Sequence, residues 1–143
     1  MAKRIYIVIC MLLILLFSYT AFAKLINIPL FTSEMHNQPM PLWFSSVLVY
    51  LLPVLEILIV IALLMDHYRL LGMMAALFLM LLFTAYTLLI LLHVFPRVPC
   101  SCGGVIKQLS WKQHLAFNLV FDGLCIWGLF LHDRLSNNKI IHE

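Results

Sequence analysis

Charge is what this sequence has least of. Charged residues make up 10% of its 143 positions, and hydrophobic residues make up 64%. A soluble globular domain is about a quarter charged and about half apolar. The shortfall excludes an ordinary water-soluble domain, because too little polar surface exists to face solvent. The net charge of +3 is small and scattered, which argues against the clustered basic surface that nucleic acid requires. Internal repeats are also missing, so nothing marks a repeat-built transporter. Histidine is absent from the middle of every long apolar run. His36, His67, His93, His114, His132 and His142 fall in connections or at run ends. A buried haem with paired axial ligands deep in a bundle is therefore not expected.

What the sequence does contain is long apolar runs. A bilayer core is crossed by roughly 20 apolar residues in a helix. Four runs qualify, at residues 5–23, 42–65, 70–95 and 111–131. The second carries Pro53 and Glu56, and the fourth, the weakest, carries Asn118 and Asp122. The expected fold is an all-α integral membrane protein, a four-helix transmembrane bundle forming one domain over residues 1–143. Residues 24–41 hold Pro29, Pro39 and Pro41 and read as an irregular loop. Leu30, Phe31 and Met35 suggest that this loop lies on the membrane or on the bundle. Residues 66–69 make a tight connection, so the second and third helices form an antiparallel hairpin. Residues 96–110 form the third loop, and the polar tail from residue 132 is expected to fray.

Lys3 and Arg4 precede the first run and favour a cytoplasmic N-terminus. Four crossings then put both termini inside and the loops at 24–41 and 96–110 outside. The remaining Lys and Arg residues are nearly balanced between the two sides, so the N-terminal pair carries the orientation. Trp43 and Trp111 fall at the expected outer ends of their helices, where interfacial tryptophans belong. The expected location is a bacterial inner membrane, in multi-pass contact with the lipid bilayer. Lys3-Arg4, an apolar stretch and Ala21-Phe22-Ala23 imitate a cleavable signal peptide. The run is longer than the usual signal core, which favours retention.

Four cysteines occur, and two of them form Cys100-Ser101-Cys102 in the third loop. The outer face is the oxidising side of a bacterial membrane. Alpha carbons two apart can lie within the ~4.4–6.8 Å that disulfides use. So small a ring would be strained, and strained, exposed disulfides are the labile ones. Pro96 and Pro99 stiffen the approach, while Gly103 and Gly104 clear side chains from it. Arg97, Lys107 and Lys112 supply a positive field that favours the thiolate. A purely structural bond would remove little chain entropy from so short a loop. A metal site built from His93, Cys100, Cys102 and His114 is disfavoured, because the Cys–Cys gap is tighter than zinc sites use.

These residues resemble the MauE branch of the DoxX-like membrane proteins. The resemblance rests on Ala21-Phe22-Ala23-Lys24-Leu25, Leu52-Pro53-Val54-Leu55-Glu56, Val98-Pro99-Cys100-Ser101-Cys102-Gly103-Gly104, and Trp111-Lys112-Gln113-His114-Leu115-Ala116-Phe117-Asn118. These segments span nearly the whole chain. The resemblance implies a four-helix membrane bundle associated with disulfide formation in exported proteins, often beside a periplasmic thioredoxin-like partner. It implies Cys100 and Cys102 as the redox pair. Asp122 does not belong to that pattern.

Ionisable groups inside a membrane are costly and usually face the bundle interior. Glu56 should lie roughly 20 Å, and Asp122 roughly 18 Å, below the outer ends of their helices. His114, Asn118 and Asp122 recur every fourth residue on one helix face, and Cys125 continues the stripe. Two readings stay open for this stripe and Glu56. One is a proton path or polar pocket serving the cysteine loop, with His114 as a base for a thiol. The other is interhelical glue. Lys24 either snorkels to the interface or meets an acid. Cys10 and Cys125 each fall roughly 8–9 Å from the inner boundary and would allow a second redox pair, although buried lone cysteines usually act as small hydrophobes.

The leading expectation is a membrane thiol–disulfide exchange protein, either a thiol–disulfide oxidoreductase or an accessory to one. Its candidate catalytic residues are Cys100 and Cys102, with His114, Glu56 and Asp122 in supporting roles. Its expected partner is a periplasmic thioredoxin-like protein or a secreted cysteine-containing client. Electrons that leave would need a sink, for which a membrane quinone is the obvious choice, although no residue marks its site. The alternatives are a non-catalytic assembly subunit and, from the broader DoxX resemblance, a subunit of a quinol-oxidising complex.

Overall fold

A computed structural model describes residues 1–95 and 110–140. Five helices follow in order, α1 Ala2–Ile26, α2 Ile28–His36, α3 Leu42–Leu64, α4 Arg69–Leu91 and α5 Trp111–Ile140. Among the described residues, four helices are long and apolar enough to cross a membrane. Only 28–44% of each span is buried inside the protein, so most of every span faces outward. The outward side chains include Leu15, Val54, Phe78 and Val120, a surface suited to lipid rather than water. The chain is a multi-pass membrane protein.

The long helices pack as a closed ring, with α1 beside α3, α3 beside α4, α4 beside α5, and α5 beside α1. Tyr6 stacks near His132 and Ile9 meets Gly128, so α1 and α5 run antiparallel. One end of the bundle gathers the N-terminus, the 65–68 turn and the last part of α5. The other gathers α2, residues 37–41, the end of α4 and the start of α5. These are called the terminal end and the loop end below.

The turn at the terminal end is closed by Arg69. Its side chain donates to the Leu63 carbonyl at 3.1 Å and pairs with Asp66. A cation there satisfies one of the carbonyls that every helix leaves open at its C-terminus. Close packing follows directly. A Cβ on Gly72 would lie 2.9 Å from the Leu63 nitrogen and 3.0 Å from the Ala62 side chain. Gly128 meets Met73 and Ile9 in the same way, so small residues let these helix backbones approach.

Two expectations need correction. Residues 24–41 are not an irregular loop. α1 continues to Ile26, the chain breaks direction at Asn27, and α2 follows. Asn27 caps α2 by accepting from the Leu30 backbone at 3.2 Å. Pro29 sits in the first turn, where proline's missing N–H costs nothing. Proline there reads as a breaker in sequence but starts a helix in fact. Phe31 and Met35 are buried and Leu30 is exposed, so α2 lies on the bundle, packed along α3. The second correction concerns the tail, which continues α5 to Ile140 rather than fraying from residue 132. No proline or glycine interrupts residues 129–140, and nothing else there stops a helix.

Candidate functional site

Hydroxyl groups inside the bundle mostly serve their own helices. Thr20 donates to the Phe17 carbonyl, Ser45 to Leu42, and Thr87 to Phe83. Such back-bonding satisfies a polar group without a partner helix. Carboxylates cannot do this, because they only accept when ionised. Glu56 and Asp122 are 1% and 5% exposed, and each must find a donor on another helix.

Glu56 finds Lys24. The ammonium lies 2.5 Å from the Glu56 Oε1 atom, with 12% of the Lys24 side chain exposed. Side chains on a helix lean toward its N-terminus. α1 and α3 run in opposite directions, so Lys24 and Glu56 lean toward each other. The Phe31 ring of α2 lies 5.8 Å from the same ammonium. Lys24 thus meets an acid rather than snorkelling away. The second carboxylate oxygen, Glu56 Oε2, is buried with no hydrogen-bond partner among the described residues.

Asp122 finds Thr84. The threonine hydroxyl donates to Asp122 Oδ2 at 2.6 Å, joining α4 to α5, while Asp122 Oδ1 is buried without a partner among the described residues. Glu56 and Asp122 therefore belong to separate helix pairs. The expected stripe on α5 does face inward, with Asp122 and Cys125 buried and His114 and Asn118 half-buried. The Nε2 atom of His114 is buried without a partner among the described residues. The Trp111 ring lies 6.3 Å from the His114 ring.

α5 starts at a fixed place. The Ser110 backbone donates to Gln113 Oε1 at 2.8 Å, and the Gln113 backbone donates to Ser110 Oγ at 3.4 Å. This reciprocal arrangement is the capping box. Four residues after Ser110 the helix presents His114. Cys100 and Cys102 lie outside the described residues, as does the rest of the segment 96–109. Cys10 and Cys125 are free and buried in one core. Ile9 meets Gly128, so Cys10 sits nearest that level of α5, about one turn from Cys125.

The sequence reading missed Thr84 on α4, the donor to Asp122, and Gln38 after α2, an acceptor. Gln38 accepts from the Tyr86 hydroxyl at 2.6 Å and ties the α2–α3 connection to α4. A signal existed. Thr84, Tyr86 and Thr87 cluster in a helix that after Arg69 is otherwise built from glycine, aliphatic residues, Met and Phe, and such clusters mark interhelical contacts in membranes.

A comparison with protein families matches residues 2–131 to the methylamine utilisation protein MauE. The chain belongs to the MauE family. No curated protein and no solved structure matches this MauE-family chain. The matched region runs from the start of α1 through most of α5. It therefore includes Lys24, Glu56, Asp122 and the Cys-Ser-Cys segment.

Proposed function

We propose that this MauE-family chain is a membrane thiol–disulfide exchange protein. Cys100 and Cys102 cycle between disulfide and dithiol against an exported thioredoxin-like partner or a cysteine-containing client. The carrying observation is the Cys100-Ser101-Cys102-Gly103-Gly104 segment, set between two membrane-spanning helices of a MauE-family bundle. In the oxidising direction the client loses two thiol hydrogens and gains a disulfide. The Cys100–Cys102 disulfide opens and receives the two electrons and two protons. A lipid-soluble quinone then takes both, regenerating the disulfide as it becomes hydroquinone. The capping box supports this reading, because it makes the cysteine loop rejoin the bundle at a firm point. His114, whose Nε2 atom is buried without a partner among the described residues, lies within the first turn of α5 and is suited to hold a thiol proton. A bacterial inner-membrane location with the loop on the periplasmic side and both termini in the cytoplasm belongs to the same proposal.

The test is thiol labelling in intact cells with a membrane-impermeant maleimide, on a Cys10→Ala/Cys125→Ala background. Labelling of Cys100 and Cys102 only after reductant is the expected result. Absence of labelling under both conditions puts the pair out of reach of the outer face and overturns the proposal.

A further inference from the structure

We infer that Lys24 and Glu56 form the docking point for the carbonyl of a lipid-soluble quinone. The inference rests on the exchange reading for its purpose, since electrons taken from clients must leave through the membrane. Its geometry is independent of the cysteine loop. An ammonium has three N–H donors, and the bond to Glu56 Oε1 uses one of them. The Lys24 side chain is 12% exposed in the last turn of an apolar span, where a lipid-soluble ligand can reach it. Behind it stands Glu56 Oε2, an unused acceptor buried among helices α1 and α3. Phe31 places an aromatic ring 5.8 Å from the ammonium.

A spare donor next to a spare acceptor fits a group that changes from acceptor to donor. A quinone carbonyl accepts from Lys24. After gaining two electrons and two protons it is a hydroquinone hydroxyl, which donates to Glu56. The two hydrogens are those released when the Cys100–Cys102 dithiol closes to a disulfide, so the exchange balances. Asp122 offers no such combination. Its one described donor is a neutral threonine, and it serves as the control.

The experiment uses the full chain in lipid nanodiscs, with Cys100→Ser and Cys102→Ser so that binding is read without turnover. A photoreactive short-tailed benzoquinone is cross-linked and the labelled peptides are mapped by mass spectrometry. The expected label falls on α1, α2 or α3 around Lys24, is displaced by unlabelled decyl-benzoquinone, and persists in Asp122→Asn. Loss of a charged hydrogen bond should lower labelling about tenfold or more in Lys24→Met. That variant leaves a buried acid unpaired, so Lys24→Met/Glu56→Met, which removes both charges, is measured beside it. The double variant should stay folded and still lose the label. Label that maps elsewhere, or that survives in the double variant, overturns the inference. Quinone label at Lys24 together with a cysteine pair that fails the maleimide test would retain this site and discard the exchange reading. A cycling cysteine pair without label at Lys24 would do the reverse.

Discussion

The two halves of the bundle solve the same packing problem with different materials. Toward the terminal end the interior is apolar, built from Ile9, Leu13, Leu63, Met73, Ala76 and Leu131, with the thiols of Cys10 and Cys125 among them. From the middle toward the loop end it contains Thr20, Gln38, Ser45, Glu56, Thr87 and Asp122, all buried. Lipid gives no hydrophobic drive to pack helices together, so the terminal half depends on close fit. The loop half adds interhelical polar bonds, which carry direction and leave atoms unsatisfied. Glu56 Oε2, His114 Nε2 and Asp122 Oδ1 are such atoms. The terminal half leaves the Tyr6 hydroxyl unpartnered near the His132 ring, but among the described residues it buries no carboxylate. The polar half buries two, at a cost in stability, and it is the half where α4 ends and α5 begins.

The comparison breaks most sharply at the ion pair. Lys24→Met or Glu56→Ala alone should destabilise the bundle by about 3–5 kcal/mol, because each leaves an uncompensated buried charge. The double variant Lys24→Met/Glu56→Met should recover most of that loss. Denaturant unfolding in detergent micelles measures all three, and equal losses for single and double variants would show that the pair is not coupled. Next comes the apolar half. Leu13→Ala, at a side chain with 0% exposure, should cost about 2–5 kcal/mol through the cavity it opens. The same unfolding assay reads it, and no charge change should rescue it.

A smaller effect is expected at the α3–α4 contact. Gly72→Ala drives a Cβ into the Leu63 backbone and should cost about 1–3 kcal/mol by overpacking. A neutral result would mean that the helices can part freely. The smallest effect belongs to the Asp122–Thr84 bond. Thr84→Val should cost about 1 kcal/mol, near the modest value typical of interhelical hydrogen bonds in membranes. A loss several times larger would give this bond a role closer to that of the ion pair.

Much of the fold was legible because the membrane simplifies it. Backbone groups must be satisfied within the span, so an apolar run of the right length is a helix, and Leu42–Leu64 and Arg69–Leu91 lie close to the runs read from sequence. Residues 24–41 were misread because proline and asparagine have two meanings. Pro29 and Asn27 begin a helix when the cap bond to Leu30 forms, and break one otherwise. The inward face of α5 was legible from its spacing of four. The partners were not, because Thr84 and Asp122 are 38 positions apart and Lys24 and Glu56 are 32 apart.

The sequence by itself determined that this chain lives in a bilayer, that four helices cross it, and that Cys100 and Cys102 stand two positions apart between the third and fourth apolar runs. Hydropathy and spacing are local properties, and they suffice for those conclusions. Only the tertiary structure decided that Glu56 pairs with Lys24, that Asp122 takes Thr84, and that α2 lies along α3. Those outcomes depend on which helices become neighbours and in what register, and the ring of antiparallel packing settles both.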